Sequence, residues 1–381
     1  MTTKKQVLLV CGTRPEIIKM APVYEALRAS QTLEPIVLHT GQHTDLATPL
    51  YEFFAMPPDE TIDLKREDPS LSALFAALLS ATSKVIAQRK PHAVLVHGDT
   101  SSSVAAALAA FNEQTPVGHV EAGLRTLDRY SPFPEEMNRS LTARLATWHY
   151  APTEQAVQAL VREGVPPQDV LMTGNTVIDA AQRTVARLQG GPANPFVAAH
   201  NLHNRLQGRR LVLVTAHRRE NWGTGLEQIA QAVAQLLQDE PDLFFVWPLH
   251  ANPAVAQAVR AELANHDFDA TRLVLTPPLE YPTLIWLLEN AWVTLTDSGG
   301  IQEEAAALGT PVLILRESTE RPELLVAGGG ALTGAHRADI VRWMNRLAQN
   351  PGVHQSMCNI VNPFGDGTAS AQIRAHLERV L

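Results

Sequence analysis

The chain has 381 residues, 45% hydrophobic and 18% charged, with a net charge of -8; that length exceeds one ordinary core and suits two domains. The acidic balance argues against bulk nucleic-acid binding, which needs a basic face, and leaves room only for a local basic pocket around a small anion. Two distant cysteines, Cys11 and Cys358, form neither a disulfide framework nor a metal spacing, and a reducing cytoplasm is the default.

In chain order, apolar runs of strand length alternate with helical patterns. MTTKKQVLLVCG carries two lysines and an apolar run too short for a signal peptide, so Val7 to Val10 reads as a first strand. A helix is expected over 16–29, then a strand in EPIVLHT, a helix over 71–88, and strands in HAVLVHGD and TPVGHVEAG. The runs are nearly continuous in Val, Leu and Ile, as in parallel strands covered on both faces. The longest nearly uninterrupted apolar stretch, around 71–81, is short of the ~18 residues that span a membrane, so a soluble protein without membrane association is expected. Residues 189–208, QGGPANPFVAAHNLHNRLQG, read as the interdomain region with a short helix inside. A second set follows: RRLVLVTAH, DLFFVWPLH, TRLVLTPP, AWVTLTDSGG and TPVLILRE, with helices over 226–238 and 253–264. A final amphipathic helix over 367–381 has Thr368 placed to cap it. The class is α/β, in two successive units.

The first strand of each set leads into basic residues, in GTRPEIIKMAP and in TAHRRENWGTGLEQ, just past the strand end where open parallel sheets bind ligands. In the first set, Asp99 follows HAVLVHG, Glu121 follows TPVGHV, and Glu135 lies in YSPFPEEMNRSL with Arg139 four residues on along one helix face. Two have a plain alternative: Asp99 is placed to cap the helix of SSSVAAALAA, and Glu121 to pair with Arg125. Together they suit acid and base roles, because carboxylates forced together move apart in pKa. Arg14 and Lys19 would bind a diphosphate or hold this cluster. His217, flanked by Arg218 and Arg219, is a catalytic or phosphate-contact candidate.

TDSGGIQEEAAALGTPVL leaves a strand at Thr296, turns through Asp297, Ser298, Gly299 and Gly300, and enters a helix near Ile301. Backbone N–H groups at a helix start favour anions, and the glycines let the backbone approach a phosphate closely. Glu303 and Glu304 fall in the first turn. A carboxylate there accepts two hydrogen bonds from a vicinal diol such as ribose, or merely complements the helix dipole. Arg321, in RESTERPE, pairs with Glu320, orders the loop or reaches the ligand. There is no GxGxxG after the first strand, no GxxxxGK motif, no CxxC and no HExxH, so dinucleotide, P-loop and metal readings find no support.

GTRPEIIKMAP, HGDT, GHVEAGLRT, SPFPEEMNR, TGNTVID, TAHRREN, TDSGGIQEEA, ERPE and NPFGDGTAS stand in this order along nearly the whole chain. In them the chain closely resembles the non-hydrolysing UDP-N-acetylglucosamine 2-epimerases. The resemblance implies a GT-B architecture, two Rossmann-like domains facing across a cleft with the last helix crossing back onto the first. The division expected is 1–172 plus 366–381, and 173–365. It implies interconversion of UDP-N-acetylglucosamine and UDP-N-acetylmannosamine, by UDP elimination to 2-acetamidoglucal and re-addition, with no cofactor, in a cytoplasmic homodimer serving cell-envelope polysaccharide synthesis. Carried onto matching positions, the catalytic carboxylates fall at Asp99, Glu121 and Glu135 and the catalytic histidine at His217. Arg14, Lys19 and Arg139 match active-site basic residues. Ser298, Gly299, Gly300 and Glu304 match a UDP-binding turn with Glu304 on the ribose and Glu303 solvated or structural, and Arg321 matches a nucleotide-binding arginine. Gln42, His43, Arg218 and His250 resemble an allosteric second-substrate site. The chain departs from the family pattern at Leu284, where many members place an aromatic near the uracil, at Asp45, where an allosteric glutamine is common, and in NPFGDG for NPYGDG. A hydrolysing relative and a GT-B glycosyltransferase are the alternatives; a non-enzymatic UDP-sugar sensor would not need Asp99, Glu121 and His217 together.

Overall fold

The computed structural model describes residues 4–43, 47–64, 68–191 and 194–381. By contact the chain divides into two units, Met1–Ala180 with Phe364–Leu381, and Ala181–Pro363. The first holds a seven-stranded sheet: β1 (Lys5–Cys11), β2 (Leu33–His39), β3 (Glu60–Thr61), β4 (Ala93–His97), β5 (Val117–Val120), β6 (Trp148–Ala151) and β7 (Val170–Met172). Its order is β3-β2-β1-β4-β5-β6-β7, every pair parallel. The second holds β8 (Arg210–Thr215), β9 (Leu243–Pro248), β10 (Leu273–Thr276), β11 (Ala291–Thr296), β12 (Val312–Ile314) and β13 (Gly330–Leu332), ordered β10-β9-β8-β11-β12-β13, again parallel throughout.

Each sheet begins at a central strand, runs out to one edge, then resumes on the other side of that strand. The reversal falls between β1 and β4 and between β8 and β11. Loops leaving the two strands there diverge to opposite faces, which opens a crevice at their C-terminal ends. Strands β3, β7 and β13 have two or three residues each, too few to show a period, and go beyond the strands expected from apolar runs. So does β6, whose WHYA mixes aromatics with a buried histidine.

The cores follow the doubly covered pattern. Leu8, Val10, Leu38, Val94 and Val96 pack with Ala106, Ala107 and Ala110 in the first unit. Val212, Val214, Phe245, Trp247 and Leu295 pack with Ile229, Val233 and Leu237 in the second. Small alanines let the helix Ser101–Asn112 lie close on the first sheet. The helix Leu71–Arg89 runs unbroken through Ser80, Thr82 and Ser83, and by length and composition alone it is apolar enough to cross a membrane, which the count of uninterrupted apolar residues did not anticipate. Its face of Leu74, Leu78, Thr82 and Ile86 is buried, packed against the helix Ser101–Asn112.

The helix Thr176–Gly190 begins in the first unit and ends in the second. Residues 189–208 belong to the second unit instead of separating the two. They form the helices Pro195–Ala199 and Leu202–Arg205, bury Val197 and Leu202, and are anchored where Asn194 Nδ2 donates to Thr283 Oγ1 at 3.2 Å. The chain returns to the first unit at a close backbone crossing. Gly174 (φ +81°) and Gly365 (φ +118°) pass so near that a Cβ on Gly174 would lie 3.0 Å from the Gly365 Cα, and Asn175 N donates to Phe364 O at 2.7 Å. The final helix, Ala369–Val380, packs on the helix Arg14–Arg28. Thr368 does not cap it with its side chain; Asp366 Oδ1 instead accepts from the Thr368 N–H and hydroxyl.

Candidate active site

At the reversal of the first sheet, the loops after β1, β4 and β5 bring charges together. Glu121, just past β5, has φ +63°, a left-handed conformation that costs a non-glycine residue on the order of 1–3 kcal/mol and persists where surroundings hold it. Its Oε1 accepts from Lys19 Nζ and, at 2.8 Å, from Asn175 Nδ2, while His97 Nε2 lies 3.5 Å from Oε2. Arg125 is not its partner; it forks onto Glu163 with two bonds of 2.7 Å.

Asp99 does not cap the helix Ser101–Asn112. Thr100 does, accepting from Ser103 N at 3.0 Å. That leaves the Asp99 carboxylate to Arg139 Nε at 2.8 Å, with Asn138 Nδ2 on the Asp99 carbonyl. Burial raises the Asp99 pKa; Arg139 lowers it and Glu121 raises it again. Arg139 keeps its charge because Asp99 and Glu136 outweigh its burial. The expected Glu135–Arg139 pairing is not formed. The helix Glu135–Leu145 turns Glu136 inward to Arg139 Nη1 at 3.0 Å, and Glu136 also accepts from Thr126 N and Leu127 N. Glu135 is half-buried, and its carboxylate makes no hydrogen bond or ion pair among the described residues.

Beneath this cluster lie groups that the sequence did not single out. Glu16, 1% exposed, accepts from Gly12 N (2.9 Å), Thr13 Oγ1 (2.8 Å) and Thr100 Oγ1 (2.6 Å), tying the β1 loop to the β4 loop. Burial raises its pKa to about 7 against those three bonds. His97, His119 and His149, on β4, β5 and β6, are buried and held down by desolvation to about 4, about 3 and about 4. His119 Nε2 donates to Gly98 O at 2.7 Å, beside Asp99. Arg14 opens its helix at the end of β1, with Pro15 in the first turn. Gln42 Oε1 accepts from Ser102 N and Oγ, and His43 N donates to Gly12 O. Asp45 lies outside the described residues.

The second sheet's reversal presents cations and N–H groups. The helix Gly299–Ala307 begins two residues earlier than expected, with Ser298 at its N-cap position and Ser298 N held by Thr296 Oγ1 at 3.0 Å. The N–H groups of the first turn have no acceptor within the helix. A Cβ on Gly300 would meet nothing within 4 Å, whereas one on Gly299 would sit 3.7 Å from the Arg321 guanidinium carbon. Glu303 is structural, not solvated, and is the carboxylate that holds Arg321. Glu303 is buried and bonds Arg321 Nε, while Glu320 faces Arg218 and Arg316. Glu303 thus fixes the arginine beside the helix start. Glu304, also buried, lies beside the Tyr281 phenol, which burial and that carboxylate push well up.

His217 leaves β8 half-buried, its ring centroid 6.1 Å from that of His250, which packs on Trp222. Burial lowers its pKa, Asp297 raises it and His250 lowers it. Phe364, the residue in place of tyrosine, is buried in the first unit, so a phenol hydroxyl there would need a buried partner. Leu284 is half-buried on the helix Tyr281–Asn290. In chemical terms, the first unit gathers buried and half-buried carboxylates that differ in environment, and the second places a glycine-led helix start near an arginine and a histidine.

A family model described as UDP-N-acetylglucosamine 2-epimerase matches residues 25–378. A UDP-N-acetylglucosamine 2-epimerase of Salmonella typhimurium is 42% identical over 376 residues, 97% of each chain. One from Escherichia coli K12 is 41% identical over 368 residues, again 97% of each. The crystal structure of the Neisseria meningitidis UDP-GlcNAc 2-epimerase bound to UDP-GlcNAc superposes with a TM-score of 0.88 at 39% identity, covering 98% of this chain and 100% of that one.

Proposed function

This chain belongs to the UDP-N-acetylglucosamine 2-epimerase family, and from that premise we propose that it interconverts UDP-N-acetylglucosamine and UDP-N-acetylmannosamine without releasing the sugar. The observation that carries the reading is the pair of carboxylates, Asp99 and Glu121, set in one half-buried cluster with Arg139 on the first and Lys19 on the second. The sugar's C2 proton is not next to a carbonyl, so a carboxylate cannot remove it directly at a useful rate. Breaking the C1–O bond first makes C1 oxocarbenium-like and C2–H acidic. The electron pair of that C–H bond then closes the C1–C2 double bond of 2-acetamidoglucal, and UDP departs with the C1–O electrons. Re-addition of UDP with protonation of the opposite face of C2 completes the exchange.

Asp99, Glu121 and Glu135 take the proton work; burial raises the Asp99 pKa, which helps that carboxylate both accept and return a proton. The first-turn N–H groups of the helix Gly299–Ala307, with Arg321, Arg14 and His217, take the charge growing on the diphosphate. Glu304 accepts the ribose diol. Gln42, His43, Arg218 and His250 are the residues for a second nucleotide sugar. The test is incubation of the whole protein with UDP-N-acetylglucosamine in D2O, followed by proton NMR. UDP-N-acetylmannosamine deuterated at C2 is expected. Accumulation of UDP with free N-acetylmannosamine instead would make the enzyme a hydrolase and overturn the non-hydrolytic reading.

A further inference from the structure

We propose that Asp297 is the positioning residue for His217, an inference that rests on the role given above to that histidine. Asp297 follows β11 and is 0% exposed. Its carboxylate does not point toward the anion seat that begins with the next residue. It turns back under the neighbouring strand's loop, where His217 N donates to Oδ1 at 3.1 Å and to Oδ2 at 2.9 Å, Arg218 N donates to Oδ2 at 2.9 Å, and Asn221 Nδ2 donates to Oδ2 at 2.9 Å. Two consecutive backbone N–H groups and a side-chain amide thus converge on one buried anion. Asn221 is itself anchored to Leu315 O at 3.1 Å, so the clamp reaches β12's exit as well.

The residue type matters. Asparagine has the same shape but one acceptor oxygen and an NH2 that would face N–H donors, and an apolar residue would leave buried N–H groups unpaired. Removing the carboxylate therefore loosens the backbone that carries the imidazole. It also removes the buried anion that favours the charged form of His217. The groups facing His217 are Asp297, His250 at 6.1 Å between ring centroids, and Arg218 in sequence, whose guanidinium is engaged by Glu320. The anion seat keeps a separate anchor in the Ser298 N to Thr296 Oγ1 bond, and the strand ends stay joined through Thr215 Oγ1 to Thr296 Oγ1 at 2.7 Å. Loss of the clamp should therefore spare UDP binding and damage the histidine's work.

The experiment compares full-length wild type, Asp297→Asn and His217→Asn by turnover of UDP-N-acetylglucosamine, UDP affinity and NMR titration of the histidine Cε1–H signals. For Asp297→Asn we expect kcat to fall roughly 100-fold, the size of effect that a misplaced group about 1 Å off causes. UDP affinity should stay within about threefold, and the His217 midpoint should move to lower pH, since the anion that favours its charged form is gone. Near-wild-type turnover with an unmoved His217 titration would overturn the inference. If Asp297→Asn does not fold, Asn221→Ala removes one donor from the clamp. A lowered kcat and a displaced His217 signal then support the proposal, and an unchanged enzyme sinks it. Full activity in His217→Asn is a separate failure, of the histidine's assigned role, because the titration of wild type against Asp297→Asn still reads the clamp by itself.

Discussion

Glu16 is a carboxyl whose pKa burial raises while three donors pull the other way. Its folded pKa of about 7 stands above the ordinary 4.5. Its contribution to stability is therefore complete below about pH 4.5 and is lost as pH rises toward about 7, on the order of 3 kcal/mol across that window. His97, His119 and His149 have the opposite sign: their lowered values mean stability rises as pH climbs from about 4 to the ordinary 6.5. The two effects overlap, so the raw stability curve hides Glu16 and the variant difference reveals it. Urea unfolding of Glu16→Gln should show less stability loss than wild type between these pH limits; identical slopes would place the proton elsewhere. Asp99 is the residue whose test is catalytic. Asp99→Asn should lower kcat by roughly 100-fold or more, as removal of a general acid or base does, with UDP affinity within about threefold. An affinity loss equal to the rate loss would make Asp99 a binding group.

At the scale of elements, the helix Gly299–Ala307 joins a strand end to the anion seat proposed above. Gly300 lies within that helix and a Cβ there meets no neighbour within 4 Å. Gly300→Ala should leave the melting temperature unchanged or raise it, because alanine favours a helix over glycine by about 1 kcal/mol. The same methyl would stand where a phosphate approaches the first-turn N–H groups, so UDP affinity should fall at least about tenfold by calorimetry. Undiminished UDP affinity would remove the phosphate from this helix start. The turn and the helix start were legible in TDSGGIQEEA because glycines at a strand exit leave few local structures open. The partner of Arg321 was not. Both adjacent glutamates are buried, Glu303 on the arginine and Glu304 beside the Tyr281 phenol, and that division depends on elements far away in sequence.

At the scale of the molecule, the chain closes its first unit with its last residues. Ser370 N and Oγ donate to Asp179 Oδ1 at 2.9 and 2.5 Å, Tyr150 Oη meets His376 Nδ1 at 3.0 Å, and Ser30 Oγ donates to Glu378 at 2.6 Å. Asp179, Tyr150 and Ser30 are buried. Removing 369–381 would take these partners from Asp179 and Tyr150, at about 1–3 kcal/mol for each group left unsatisfied, while Ser30 Oγ would keep the bonds it accepts from Thr32 N and Leu33 N. Hydrogen exchange on the truncated chain should show lost protection in β1 to β7 and retained protection in β8 to β13. Equal loss in both sheets would mean that the two units unfold as one.

The chain by itself determined the α/β class, most of the long strands, and which stretches leave strand ends carrying carboxylates, cations and glycines. These are local properties: continuous apolar runs, helix periods and turn residues are written within a few positions of one another. Tertiary structure decided the pairings. Arg139 went to Asp99 and Glu136 instead of Glu135, Arg125 to Glu163 instead of Glu121, and Arg321 to Glu303. Glu16, Asn175 and Asp297 emerged as struts only where loops distant in sequence converge. Charged side chains choose partners by burial and distance, and sheet order sets both: β1 beside β4 and β8 beside β11 bring together loops that the sequence keeps some 80 residues apart.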